Sequence, residues 1–420
     1  MASFAPFEPN PSLAVALSGG ADSMALLALA REWVAARDGD LRALIVDHGL
    51  RPESAAEAAR VARRAEALGV PAEILRWRGE KPATRIQERA REVRYALLRS
   101  ACRRAGILHL LTAHHRDDLA ETVALRKARG SGRIGLAGMA AERFFEELRL
   151  LRPLLPVSRD RLLATLRAYR LPWLEDPSNL DPRFARGRLR LAGRSPVAEL
   201  LAEAAAAADF RASLERQLAR FCARHVRPHP LGLVELAAAP WRRLAPEVGE
   251  RVLERALLLA GGGRYPPRRL RLANLAAMLR EPGFGRRTLA GCLIEEHAGR
   301  IRIGREPGRI APPGDCLPGR SLLWDGRWRL ELGEGEAPVT VVALGTLEDP
   351  LRRRLLARAR RCDIPSWFAR SLPVVLCRGR LLYWPLARRP PPRRRLRLVP
   401  APRWRLAESP PDGILVSTFR

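Results

Sequence analysis

Over roughly the first 190 residues, short apolar runs alternate with longer stretches in which apolar positions recur every three or four residues. The pattern predicts strands near 13–17, 41–46, 70–76 and 107–112, and helices near 23–37, 54–68, 84–105 and 117–129. Strand and helix in strict alternation imply an α/β domain with a doubly wound parallel sheet. Thr84 followed by Gln87 forms a capping box, and Ile86, Ala90, Val93 and Leu97 then make one apolar helix face. A leucine-rich run at 148–156 and a helix at 158–170 complete the domain. From about 195 the chain turns alanine- and leucine-rich, with helices predicted at 198–223, 246–260 and 268–280. From about 313 it becomes short alternating strands punctuated by Gly and Pro, followed by a Pro/Arg stretch at 388–405. The expected division is 1–195 for the α/β domain, 196–312 for a helical domain and 313–420 for a small α+β domain with a basic tail. No internal repeat is visible.

In doubly wound sheets ligands bind beyond the carboxyl ends of the strands, so the segments after each strand are where chemistry belongs. Here they read SGGADS (18–23), DHGLRPES (47–54), RGEKPATR (78–85) and AHHRDDLAET (113–122), rich in Asp, His, Glu and Arg. Ser18, Gly19, Gly20, Ala21, Asp22 and Ser23 lie between an apolar run and a helix. Adjacent glycines let backbone approach phosphate oxygens, while serine hydroxyls, amide N–H groups and the helix N-terminus favour the anion. A Walker A loop ends in Gly-Lys-[Ser/Thr]; this one ends in Ala-Asp-Ser and is a different cradle. Read as an isolated hexapeptide, it is also compatible with a strand-to-helix turn that holds no ligand. Asp118 and Glu121 stand three apart, hence on one face of a helix that starts at a strand's end. Such a pair suits an ammonium ligand, which a carboxylate or nearby imidazole can deprotonate for attack. Asp117, closer to the helix start, suits Mg²⁺ or ATP positioning; all three acids also fit plain dipole and surface roles.

Composition then narrows the partner. The 420 residues carry 75 basic and 45 acidic side chains, a formal charge of +30, and Lys81 and Lys127 are the only lysines. Preference for arginine reflects base composition, but the cation surplus points to a polyanion, nucleic acid first. Neither an apolar stretch of about 18 residues nor a basic-then-apolar leader is present, which argues against a membrane partner. Six cysteines (Cys102, Cys222, Cys292, Cys316, Cys362 and Cys377) form no C-x-x-C pair and no His cluster has zinc spacing. A reducing cytoplasm, no structural zinc and thiols that act as small core residues are expected.

Several segments in order, SGGADSMALL, VDHGLR, AREVRYALL, AHHRDDLAETVALRKARGSGRIGLAGM, RPLL and DPSNLDPRFARGRLR, resemble the bacterial tRNA(Ile)-lysidine synthase family, within the PP-loop superfamily of adenine nucleotide α-hydrolase-like fold. The likeness is strong over the first 190 residues and looser in RRCDIPSWFARSLPVVLCRGRLLYWP (360–385), which is similar to the family's C-terminal tRNA-binding domain. It implies a two-step reaction on the wobble cytidine of an isoleucine tRNA with a CAU anticodon. ATP adenylates the C2 oxygen, and the ε-amine of free lysine displaces AMP, which changes pairing from G to A. By motif, Ser18 to Ser23 would bind ATP, Asp22 would contact Mg²⁺, and Arg94 would approach the phosphates. His114 would meet the reacting base or nucleotide, Asp118 and Glu121 the lysine, and Arg186 and Arg190 the anticodon or the mouth of the site. The second and third domains would bind tRNA. A homodimer is compatible with this reading.

Two positions depart from the family pattern: Leu119, where Gln is usual, and Gly187, where Asn is usual. Neither removes a charge that the mechanism uses. The nearest rival, a PP-loop tRNA thiolase, wants paired or persulfide-forming cysteines or an iron–sulfur cluster, and the first 100 residues contain no Cys. PP-loop amidotransferases need a glutaminase part that is absent. A non-catalytic RNA-binding homologue would not be expected to retain the cradle, both histidines and all three acids. Three basic clusters, Arg126–Arg133, Arg352–Arg361 and Arg393–Arg395, are either solvated faces or contacts along a tRNA, with Trp367, Trp384 and Trp404 as core residues or base-stacking partners.

Overall fold

The computed structural model describes residues 1–79, 81, 86–145, 148–174, 188, 196–263, 265–387 and 396–401. Thr84 of the expected capping box, Arg186, Gly187, Arg190, Arg393–Arg395 and Trp404 lie outside these residues. The chain forms two compact units, with Met1–Ala212 in the first and the described residues from Ser213 onward in the second.

The first unit is built on a six-stranded sheet of β1 (Ser12–Ala16), β2 (Asp40–Asp47), β3 (Ala72–Arg76), β4 (His109–Leu111), β5 (Glu142–Phe144) and β6 (Arg149–Leu151). Its order is β3-β2-β1-β4-β6-β5, parallel except for β5 on one edge. Side chains of a strand alternate between faces, and β1 is apolar on both. Leu13, Val15 and Leu17 enter a core with helices α1 (Ala21–Ala35), α2 (Ser54–Ala67) and, later in the chain, Arg159–Ala168. Ala14 and Ala16 enter a second core with α3 (Ile86–Arg104), through Tyr95, Leu98, Ala101 and Cys102. Helices therefore cover both faces, as the alternation of elements required.

Strand order reverses at β1, whose neighbours are β2 on one side and β4 on the other. The crevice between the carboxyl ends of β1 and β4 is the point where such sheets place ligands. SGGADS follows β1 and AHHRDD follows β4. The latter opens α4 (Arg116–Ala128), which is followed by α5 (Arg133–Leu136) and, after β6, by α6 (Arg159–Ala168). Further along, α7 (Val197–His225) packs Leu200 and Ala204 against Ala120 and Val123 of α4.

The second unit holds two cores. The expected helices are found as α9 (Pro246–Gly261) and α10 (Arg269–Arg280), after a short α8 (Ala238–Arg242). They are joined by a five-stranded sheet that the helical reading of 196–312 did not include. Its strands are β7 (Val226–Pro228), β8 (Val234–Ala237), β9 (Arg287–Leu289), β10 (Cys292–His297) and β11 (Arg300–Arg305), in the order β7-β8-β11-β10-β9. These strands carry alternating charges, such as Glu295 opposite Arg302, that mask their apolar positions in a linear reading. The remaining strands form a sheet of four and a sheet of three around Trp324, Trp328, Phe368 and Trp384. Among the described residues no helix is long and apolar enough to cross a membrane.

Candidate active site

The loop after β1 is held in shape by its own serines. Ser18 donates from its hydroxyl to Ser23 Oγ at 3.1 Å, and Ser23 donates to the Gly20 carbonyl at 2.9 Å. Gly20 is the N-cap of α1 and offers no side chain for capping. The orphan amides of that first turn stay available to an anion, with the helix dipole behind them. Gly19 has φ +83°, a region that favours glycine, and a Cβ there would sit 2.3 Å from Val61 Cγ2 of α2. Its carbonyl accepts from the Leu174 amide at 2.9 Å, which ties the loop to the segment after α6.

Across the crevice, His115 is the N-cap of α4 and is 2% exposed. Its Nδ1 accepts from the Asp117 amide at 3.2 Å, while its own amide donates to Asp118 Oδ2 at 3.3 Å. The reciprocal pair is a capping box with histidine in place of the usual hydroxyl residue. His115 Nε2 faces Asp22 Oδ2 at 3.6 Å and Asp118 Oδ2 at 3.5 Å, ion-pair distances rather than tight hydrogen bonds. Burial works against a charged ring, but contact with Asp22 and the charges of Asp118 and Asp117 outweigh it. The imidazole therefore holds a proton above the usual histidine range. The proton that titrates is the one on Nδ1, where the Asp117 amide at 3.2 Å gives way to Asp117 Oδ2 at 3.4 Å.

The structure brings Ser18 to Ser23 together with Asp118 through this histidine. Glu121 is half-buried one turn further along α4. His114 is also half-buried and turns Nδ1 toward the Thr112 hydroxyl at 3.1 Å. Asp117 is committed elsewhere: its Oδ2 accepts from the Arg159 amide at 2.9 Å and anchors the start of α6. The Asp22 carboxylate is a hard oxygen donor that suits Mg²⁺, which takes few protein ligands and completes its shell with phosphate and water. Among the described residues no group of three or more His, Cys, Asp or Glu side chains is arranged to hold a metal ion.

A cationic region lies on the α3 side of the sheet. Burial alone would raise the Tyr95 hydroxyl, but Arg91, Arg152, Arg94 and Arg143 hold it below the usual phenol range. Burial lowers Arg94 as well, and neighbouring Arg91 adds to that. His48 after β2 is depressed by burial and then by Arg94 and Lys81, against the opposing charge of Asp47. Its Nδ1 is buried with no partner among the described residues, and its ring meets Trp77 edge-on at 6.2 Å. Lys81 Nζ lies 4.3 Å from the Trp77 ring centre and donates to the Trp77 carbonyl at 2.7 Å. The sequence reading singled out Arg94 but not His115, Arg152 or His48. All three follow strand ends, and that position was the signal available for finding them.

Leu119 explains its own departure from the family pattern. A Cβ on Gly138 (φ +60°) would fall 2.4 Å from Leu119 Cδ1, so this leucine supports the loop after α5 by close packing. Arg126 donates to the carbonyls of Gly135 and Gly138 at 2.6 and 3.1 Å and fixes the same loop. Lys127 pairs with Glu203 at 2.8 Å, and Arg133 lies 4.1 Å from the Phe210 ring centre. The first basic cluster is thus partly spent on structure. In the second, α11 (Leu351–Arg361) buries Leu355, Leu356 and Ala359 and exposes Arg353, Arg354, Arg360 and Arg361. Trp384 is core, and Trp367 donates to Glu295 at 2.7 Å. Of the six thiols, Cys102, Cys292 and Cys316 are buried, whereas Cys362 is exposed.

Residues 2–192 match the PP-loop domain family. The chain is 40% identical over 329 residues to a tRNA(Ile)-lysidine synthase of Ruegeria pomeroyi, covering 77% of each chain. It is 41% identical to that of Rhodopseudomonas palustris, over 73% of this chain and 94% of the relative. With the Caulobacter vibrioides protein of the same name it shares 38% identity over 87% of this chain and 84% of the relative.

Proposed function

Because the chain belongs to the tRNA(Ile)-lysidine synthase family, we propose that its substrates are ATP, free lysine and an isoleucine tRNA with a CAU anticodon. The reaction joins lysine to C2 of the wobble cytidine and switches reading from AUG to AUA. In the first step the cytidine O2 attacks the α-phosphate of ATP, forming an adenylate and releasing pyrophosphate. In the second, the lysine ε-amine attacks C2, the C2–O bond breaks, and AMP departs. The observation that carries this reading is the crevice between β1 and β4, where the cradle of Ser18–Ser23 faces an acid cluster.

Each residue has a role that its position supports. Amides and hydroxyls of Ser18, Gly19, Gly20, Ala21 and Ser23 hold phosphate oxygens, and Arg94 with Arg152 opposes the charge that develops on the α-phosphate. Asp118 and Glu121 orient the lysine ammonium, and a carboxylate of this pair accepts the proton that the amine must lose before it attacks. His114, on the segment that leads into α4, lines the space for the base. Asp22 is the residue that would hold Mg²⁺, which when bound neutralises phosphate charge and orients the leaving pyrophosphate. Asp117, tied to Arg159, is a poorer ligand than the sequence suggested. Arg186 and Arg190 keep their proposed place along the anticodon or at the mouth of the site, and the exposed arginines of α11 that of phosphate contacts. The setting for this chemistry is the cytoplasm.

The test is to incubate the protein with ATP, Mg²⁺, labelled lysine and a CAU-anticodon isoleucine tRNA transcript, and to count label that survives alkaline deacylation. ATP-dependent, base-stable label that vanishes when the wobble cytidine is replaced is the expected result. Absence of label with tRNA still bound would refute the reading.

A further inference from the structure

His115 does more than a helix cap requires. Capping uses one acceptor, here Nδ1, and Asn, Asp or Ser at that position supplies it as well. Because the Asp117 amide donates to Nδ1, the ring proton sits on Nε2. That N–H is directed between Asp22 Oδ2 on α1 and Asp118 Oδ2 on α4, and it stays in place when the ring takes a second proton. One carboxylate belongs to the phosphate cradle and the other to the lysine pair, and they come from elements far apart in sequence.

Resting on the function proposed above, we infer that His115 is a positioning residue that sets the spacing between the nucleotide half and the lysine half of the site. Without the bridging N–H, the two carboxylates would face each other as like charges in a half-buried crevice and separate. Asp118 is gripped twice by His115, through the main-chain amide at 3.3 Å and through the ring. The ring's far side is fixed in turn, since Asp117 holds Nδ1 with its amide and the Arg159 amide with its carboxylate. A chain of contacts thus runs from the start of α6 through Asp117 and His115 to both acids. Rotation of the ring would move both half-sites together, so a defect introduced there is expected in both steps of the reaction.

Two substitutions divide capping from bridging. His115→Asn keeps an acceptor at the position of Nδ1 and removes Nε2; His115→Gln places an amide N–H near Nε2 and removes the cap. Tm, the ATP KM in tRNA-dependent ATP–pyrophosphate exchange, and the lysine KM and kcat in the transfer assay are measured for each. His115→Asn is expected to keep Tm within a few degrees, to raise both KM values about tenfold, as befits loss of a charge-assisted contact, and to change kcat less. His115→Gln is expected to recover most of both KM values despite a lower Tm. KM values of His115→Asn within twofold of wild type, or no recovery in His115→Gln, would overturn the bridging role while leaving the function intact. A wild-type protein that transfers no lysine at all would overturn the functional reading, and the bridge with it.

Discussion

Replacement of Gly19 by alanine tests whether the loop's shape, rather than its composition, makes the cradle. The residue lies at φ +83°, where an L side chain costs roughly 1–2 kcal/mol. Its Cβ would fall 2.3 Å from Val61 Cγ2 and 3.2 Å from Leu174 Cδ1, and Val61 is itself 1% exposed and cannot swing away. Overpacking of this kind adds about 1–3 kcal/mol. The sum, about 2–5 kcal/mol, corresponds to a fall in Tm of roughly 4–20 °C for a unit of this size. Gly20 provides the contrast. Its φ is −72°, and the nearest atom to an added Cβ is Ser18 Oγ at 3.8 Å, an ordinary contact. Gly20→Ala is expected to keep Tm within a few degrees yet raise the ATP KM at least tenfold, because its methyl occupies space that phosphate oxygens need. Thermal unfolding followed by circular dichroism and ATP titration in the exchange assay read both. Equal melting of Gly19→Ala and wild type, or a larger loss of stability in Gly20→Ala than in Gly19→Ala, would refute the account.

Asp118→Asn is expected to leave tRNA-dependent ATP–pyrophosphate exchange within a few-fold of wild type and to raise the lysine KM at least tenfold; equal loss of both steps would remove lysine binding from Asp118. Thiol reactivity should separate the cysteines at pH 8. Exposed Cys362 labels within minutes, while Cys292, pushed up to about 12 by burial, and Cys222, pushed up to about 11 by burial, stay unlabelled in native protein. Rapid labelling of Cys292 would contradict the core packing. The last concerns Glu8, whose Oε2 meets His109 Nε2 at 2.7 Å and whose Oε1 accepts from the Ser12 amide. Burial raises this carboxyl, but the bond to His109 and the backbone bonds outweigh it and leave it below its ordinary 4.5. A depressed carboxylate stabilises above its unfolded pKa and loses that contribution as pH falls through the folded value. The gap in stability between wild type and Glu8→Gln should therefore be constant near neutrality and close below about pH 4.5, as read from urea midpoints at several pH values; a gap that widens in acid would refute the pairing.

The sheet of the first unit was legible because its strands are apolar on both faces and its helices are periodic, so each element announces itself without its partners. Strand limits missed by at most two residues, as expected when hydrogen bonding rather than hydropathy ends a strand. The sheet around β10 and β11 was hidden for a physical reason. The positions between the buried ones are half-buried and include Glu295, Arg300 and Arg302, and Arg302 and Glu235 become a 2.8 Å ion pair only after pairing. In the linear sequence those residues break up the apolar signal, and the flanking helices of 246–260 and 268–280 then dominate.

The candidate site divides along the same line. Spacing alone places Asp118 and Glu121 on one helix face, and the glycine pair needs nothing beyond its neighbours to look like a cradle. Spacing cannot say which of two adjacent histidines or two adjacent aspartates turns inward. His115 and Asp118 point to the cradle, whereas Asp117 is drawn off by the Arg159 amide, 42 residues further along. That assignment depends on where α6 begins relative to α4, a tertiary fact. The same holds for Leu119, whose packing contact to Gly138 lies across to the loop after α5 and is invisible in the motif. The residues that bring the halves of the site together are those whose partners lie on other elements. A mutational survey guided by motif alone would therefore cover the residues proposed for phosphate and lysine and pass over His115, which lies between Asp22 and Asp118.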